Sequence, residues 1–87
     1  MDCWIGVGRE GDRRVVRLAG RLTAAQVPEL LQACEDYSLV DLNLVDLLSA
    51  DVAGIDAMRR LRAGGAKLIG TNGYIQIRLD SLHPDLA

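Results

Sequence analysis

Residues 39–65, LVDLNLVDLLSADVAGIDAMRRLRAGG, constrain the fold of this chain more than any other stretch. Residues 39–48 are apolar with isolated polar positions, the pattern of a strand buried on both faces. Residues 51–63 then read as a helix. Gly54, Ile55, Met58 and Leu61 fall on one stripe, Arg59 and Arg60 face water, and Asp51 is a natural N-cap. Gly64-Gly65 stops the helix, the first glycine being suited to a left-handed C-cap. AKLIG, residues 66–70, gives another short strand. A strand that passes through a helix into a second strand places the two in parallel, because only a crossover of that length lets the chain return in the same direction.

The flanking segments complete the layout. CWIGVG (3–8) and RRVVRLA (13–19) are short β-branched runs separated by Arg9-Glu10-Gly11-Asp12, a turn composition, and predict a hairpin. Val27, Leu30, Leu31 and Cys34 then recur at helical spacing, with Thr23 as N-cap and Asp36-Tyr37-Ser38 as the end. Pro28 lacks an N–H for the preceding turn, so either the first turn is irregular or regular helix starts nearer Val27. TNGYIQIRLDSL (71–82) fits both periods; after a buried strand and a Thr-Asn-Gly loop, the helix with Ile75, Leu79 and Leu82 on one face is preferred. The order is β-β-α-β-α-β-α. The expected class is α/β: a single small domain over 1–87, with a mixed, mostly parallel four-stranded sheet entered through an N-terminal β-hairpin and helices packed on it.

Composition narrows the function. With 49% hydrophobic and 25% charged residues the chain reads as globular. No apolar run approaches the ~18 residues of a membrane span and no signal-peptide pattern opens the chain, so a cytoplasmic location is expected. Cys3 and Cys34 are too few for a metal cage and read as buried thiols. Arginines crowd residues 9–21 and acids occupy 35–56, yet the net charge is -2 and aromatics are 3%, which argues against nucleic acid. Gly6, Gly8 and Gly11 satisfy G-x-G-x-x-G, but a strand follows them where a dinucleotide site needs a helix. His83 has no companions at metal-ligand spacing, Ser49 lies in no G-x-S-x-G elbow, and Asp46, Asp51 and Asp56 are spaced to diverge on a helix. No catalytic residue, cofactor or metal is expected.

Asp51 remains as the feature to explain. On its own account it is a helix cap at the positive helix end. VVRLAGRLTAAQVPELLQAC, then LVDLNLVDLLSADVAGIDAM, then GGAKLIG resembles the STAS domain of bacterial anti-sigma factor antagonists and sulfate transporters, over residues 14 to about 80. The resemblance implies a small mixed sheet with packed helices, acting as a binding module and not as an enzyme. In that family an Asp-Ser-Ser/Thr-Gly sequence opens the central helix, and a partner kinase, itself the anti-sigma factor, phosphorylates a hydroxyl there. By the resemblance Ser49 falls at the family's Asp, Ala50 at its first small residue, Asp51 at the phosphoacceptor and Val52 at its Gly. Thr23 falls where the family often has an acid. Asp51 is no substrate for a Ser/Thr kinase, and carries one negative charge where a phosphoserine carries about -1.5 to -2.

The leading expectation is therefore a bacterial, non-enzymatic signalling module with a fixed charge at Asp51. It would dock a protein partner, an anti-sigma-factor kinase or another signalling component, through Ser49, Ala50, Asp51, Val52 and Ile55, with Thr23 beside them. Ser49 and Thr23 stay open as alternative acceptors. Two further readings stay open. One is a small-ligand or nucleotide sensor at the same strand-to-helix junctions, against which Asp51 counts because it occupies the positive helix end. The other is a structural subunit of a homo-oligomer, a homodimer for example, or of a signalling complex.

Overall fold

A computed structural model of the chain describes residues 3–35 and 39–80. Strands β1 (Cys3–Glu10) and β2 (Arg13–Leu22) form an antiparallel hairpin, and β2, β3 (Val40–Ala50) and β4 (Lys67–Ile69) run parallel in the order β1-β2-β3-β4. Helices α1 (Val27–Ala33), α2 (Val52–Ala63) and α3 (Gly73–Asp80) lie between and after the strands, so the α/β order and the preferred helix at the C-terminal end both stand. The hairpin loop is only Gly11-Asp12, tighter than the four-residue turn read from sequence. Gly11 takes φ 61, which an L side chain adopts at a cost.

The irregular start of the first helix resolves around Pro28. Ala24–Gln26 form a 3₁₀ turn and regular α-helix begins at Val27, which puts Pro28 in the first turn, where no N–H is required of it. The expected end at Asp36-Tyr37-Ser38 lies outside the described residues, as do Leu82 and His83. At the end of α2 the sequence reading is corrected by one residue. Gly64 is helical at φ -82, and Gly65 takes the left-handed φ of 114. The Gly65 N–H donates to the Arg62 carbonyl at 3.1 Å and the Ala66 N–H to Leu61 at 3.0 Å, a Schellman closure that buries Ala66 behind the helix.

Strand β3 also departs from expectation. Arg14–Leu22 runs alongside Val40–Ala50 with register shifts between Arg17 and Ala19 and between Gly20 and Arg21, so β3 carries an extra residue at each shift. Asn43 Oδ1 accepts from the Val45 N–H at 3.1 Å within the first of these, and Gly20 takes φ 91 at the second. Each bulge turns the strand over, so the core receives Val40, Leu42, Leu44, Leu47 and Ala50 while Val45 and Leu48 are exposed. β3 is thus covered on one face, not two. Its inner residues join Val16, Leu18 and Leu22 of β2 and Leu30, Ile55, Ala57, Met58, Ile75 and Leu79 of the helices in one core.

Arg59, expected to face water, instead donates to the carbonyls of Leu79 at 3.1 Å and Arg78 at 2.7 Å in the last turn of α3. Arg60 is exposed and pairs with Asp56 at 3.1 Å. Arg13 Nε donates to Asp41 at 2.8 Å, and this bond holds the Asp41 carboxyl below the usual carboxylate range. That interaction therefore stabilises the fold above the unfolded carboxyl's pKa and is lost as pH falls through the lower folded value.

Both cysteines are buried and free. Burial pushes the Cys34 thiol up to about 11, partly opposed by the Arg14 charge, and raises Cys3 as well. A raised thiol stabilises the fold below the ordinary value of 9.0, and the gain fades as pH climbs toward about 11. Neither thiol of the native chain should react with iodoacetamide at pH 8, and both should react once urea unfolds it. Mass spectrometry of the labelled chain decides this; labelling of the native protein at the rate of a free peptide cysteine would contradict the burial.

Candidate functional site

The junction where β3 passes the chain to α2 gathers most of the residues singled out from sequence. Asp51 occupies the N-cap in extended conformation (φ -80, ψ -177). Its Oδ1 accepts from the Gly54 N–H at 2.8 Å, the bond expected of a cap. Its Oδ2 accepts from the Ala24 N–H at 3.0 Å, at the start of the 3₁₀ turn on the other side of the junction. The backbone closes the same gap, since the Asp51 N–H donates to the Leu22 carbonyl at 3.0 Å. One carboxylate thus fastens the ends of β2 and β3 to the starts of both following helical segments. It does so while exposed to solvent.

The other predicted residues divide. Thr23 Oγ1 donates to Gln26 Oε1 at 2.6 Å, and the Thr23 N–H donates to the same oxygen at 3.3 Å, so this half-buried hydroxyl serves the turn. Ser49 lies half-buried on β3 opposite Arg21. Val52, the first residue of α2, is 76% exposed. Ala50 and Ile55 do not belong to a docking surface: they are 5% and 4% exposed and their side chains are committed to the core. The reason is geometric, because Ala50 follows the second bulge on the inner face and Ile55 lies on the core stripe of α2.

Sequence reasoning missed two residues of this junction. Asn72 caps α3 as Asp51 caps α2: its Oδ1 accepts from Ile75 N–H at 2.8 Å, while its Nδ2 donates to the Leu47 carbonyl of β3 at 3.2 Å. An Asn directly before a helical stripe is an N-cap signal, so this one was available. Arg78 donates to the Ala50 carbonyl and to Tyr74 Oη at 3.1 Å, with its guanidinium 5.6 Å from the Tyr74 ring centroid. Nothing local in the sequence marks Arg78, since its partner lies on another element. Leu48, Val52, Tyr74 and Ile77 are exposed on the elements that meet here, and Val52 directly follows Asp51 in the chain.

The Asp51 carboxylate accepts from its own chain on both oxygens, and no group of three or more His, Cys, Asp or Glu among the described residues comes together to hold a metal ion. None of the described helices is long and apolar enough to cross a membrane.

No family model matches the chain, and no curated protein matches it. Solved structures do. The antisigma-factor antagonist STAS domain from Rhodobacter sphaeroides aligns with a TM-score of 0.60 at 20% identity, over 79% of this chain and 87% of that one. A structure described as Mglu aligns with a TM-score of 0.63 at 28% identity over 78% of this chain, which spans only 20% of its length. An uncharacterized DUF3478-family protein with a SpoIIAA-like fold from Shewanella loihica aligns with a TM-score of 0.50 at 17% identity, over 84% and 71% of the two chains. The hairpin, the parallel strands and the capped helix at Asp51 therefore build a domain of the STAS-like fold.

Proposed function

We propose that this chain is a non-enzymatic regulatory module that docks a protein partner at the N-terminal end of α2, with Asp51 supplying a permanent negative charge. The observation that carries the reading is the Asp51 carboxylate: exposed, clamped in place by two backbone amides, and bordered by Val52 at 76% exposure. A clamped charge loses little freedom when a partner binds, and apolar neighbours supply the contact area that charge alone does not. The STAS-like fold supports the class of function, and the partner class that fits is a kinase-type anti-sigma factor or another signalling protein. Thr23 and Ser49 lie beside the charge as the rim of the surface, and no phosphate is needed to make it anionic.

Two variants test this, the first of them separately from stability. Val52→Asp alters an exposed side chain, so the fold should melt unchanged, while recovery of the partner on the immobilised chain from its native host falls at least about tenfold, as a like charge is set into an apolar contact. Asp51→Ser restores a hydroxyl, and incubation with ATP and the recovered partner should place a phosphate at residue 51 and make binding depend on ATP. Undiminished recovery by Val52→Asp would move the docking surface elsewhere. Stoichiometric phosphate on Ser49 or Thr23 of the unaltered chain would end the fixed-charge reading.

A further inference from the structure

The sheet has two edges of opposite character. β4 is three residues long and carries Lys67, two of the devices by which sheet edges avoid pairing with strangers. β1 has eight residues, pairs with β2 without a bulge, and contains neither Pro nor Lys. Its outer side pairs with nothing among the described residues. Because a two-residue loop makes Glu10 and Arg13 the closing pair, Trp4, Gly6, Gly8 and Glu10 turn their amides toward β2. Cys3, Ile5, Val7 and Arg9 turn theirs outward.

From Trp4 to Gly8 the side chains on this edge are apolar on both faces, with the charged Arg9 and Glu10 at the hairpin end. Trp4 is 59% exposed, and its ring lies over Gly6. Beyond it a groove of about 320 Å³ runs over Gly6 and Gly8 between Trp4, Val15 and Arg17. A Cβ built on Gly8 meets nothing within 4 Å, so the floor of the groove is open there. On the opposite face Val7, 55% exposed, stands at the rim of the core beside its fully buried cross-strand neighbour Val16.

We propose that β1 pairs antiparallel with β1 of a second copy about a two-fold axis at Gly6, joining the two sheets into one. This register is self-complementary on both faces. Trp4 comes opposite the partner's Gly8 in a non-hydrogen-bonded pair, where cross-strand side chains approach most closely, and an aromatic ring over a strand glycine shields its bare backbone. Each groove receives the other copy's indole. Val7 comes opposite the partner's Ile5 and extends the core across the seam, while the outward amides of Cys3, Ile5, Val7 and Arg9 find partners. A strand of this length spans about 27 Å and an edge contact of that span buries on the order of 1,000 Å² in all, which places the dimer at the weak end of specific interfaces, with micromolar dissociation. The seam shares no residue with Thr23, Ser49, Asp51 or Val52, so it stands or falls apart from the docking surface.

Trp4 is the only tryptophan and reports directly on the seam. Sedimentation velocity from about 1 μM to 1 mM should show a shift from one chain's mass to two, in step with a blue shift of Trp4 fluorescence, across the micromolar range set by an edge contact. Val7→Lys charges the edge at a half-exposed position, leaving the melting of the dilute chain unchanged and weakening association at least about tenfold. Trp4→Ala empties the groove and should weaken it similarly. A single-chain mass at every concentration overturns the proposal, and so does a dimer whose dissociation constant neither substitution moves.

Discussion

Asp51→Ala should lower stability by about 2–3 kcal/mol, more than an N-cap loss alone, which is typically ~1 kcal/mol. The excess comes from the second oxygen: the substitution also frees the Ala24 N–H, which Asp51 Oδ2 accepts at 3.0 Å. For a chain of this size the melting midpoint should fall by about 10–20 °C. Asp51→Asn separates the two bonds, because its amide oxygen still accepts from Gly54 while its NH₂ faces Ala24 N–H as donor against donor. It should fall between wild type and alanine. Native-state hydrogen exchange gives the second check, with the amides of Ala24 and Gly54 both exchanging faster in the alanine variant and only that of Ala24 in the asparagine variant. An alanine variant that melts within about 2 °C of wild type would show that water replaces both bonds without loss.

How far the sequence reveals this junction follows from how local each interaction is. The cap at Asp51, the hairpin, the Pro28 irregularity and the stripe of α2 are set by residues within a turn of one another, and pattern reading reached them all. The second contact of Asp51 joins residues 24 and 51, and no spacing rule links those positions. Strand β3 shows the other limit. Its inner residues fall at 40, 42, 44, 47 and 50, and the two bulges convert a one-sided alternation into a run resembling a doubly buried strand. Once the bulges are known, Ala50 moves to the core and Val45 and Leu48 to the surface. Ile55 was read correctly as a stripe residue, and burial on that stripe is the reason it lies beyond a partner's reach.

Gly54→Val should cost about 3 kcal/mol, although glycine is itself a poor helix former. A Cβ at this position would sit 3.0 Å from both Leu22 Cγ and the Leu22 carbonyl oxygen and 3.1 Å from Leu22 Cδ2. Leu22 has little room to retreat: its side chain is fully buried, and its carbonyl is held by the Asp51 N–H at 3.0 Å. Gly54→Ala tests the balance, since it gains roughly 1 kcal/mol of helix propensity and meets the same wall, for a net loss of about 1 kcal/mol. Valine adds two methyl groups to the contact and a less favourable helix rotamer, so α2 must lift from the end of β2. That lift widens the gap that Asp51 spans, so the valine variant should lose Ala24 amide protection even with the carboxylate intact. Its midpoint should fall by about 12–20 °C. A valine variant as stable as alanine, with Ala24 still protected, would mean that the approach of α2 to Leu22 is not what positions the Asp51 carboxylate.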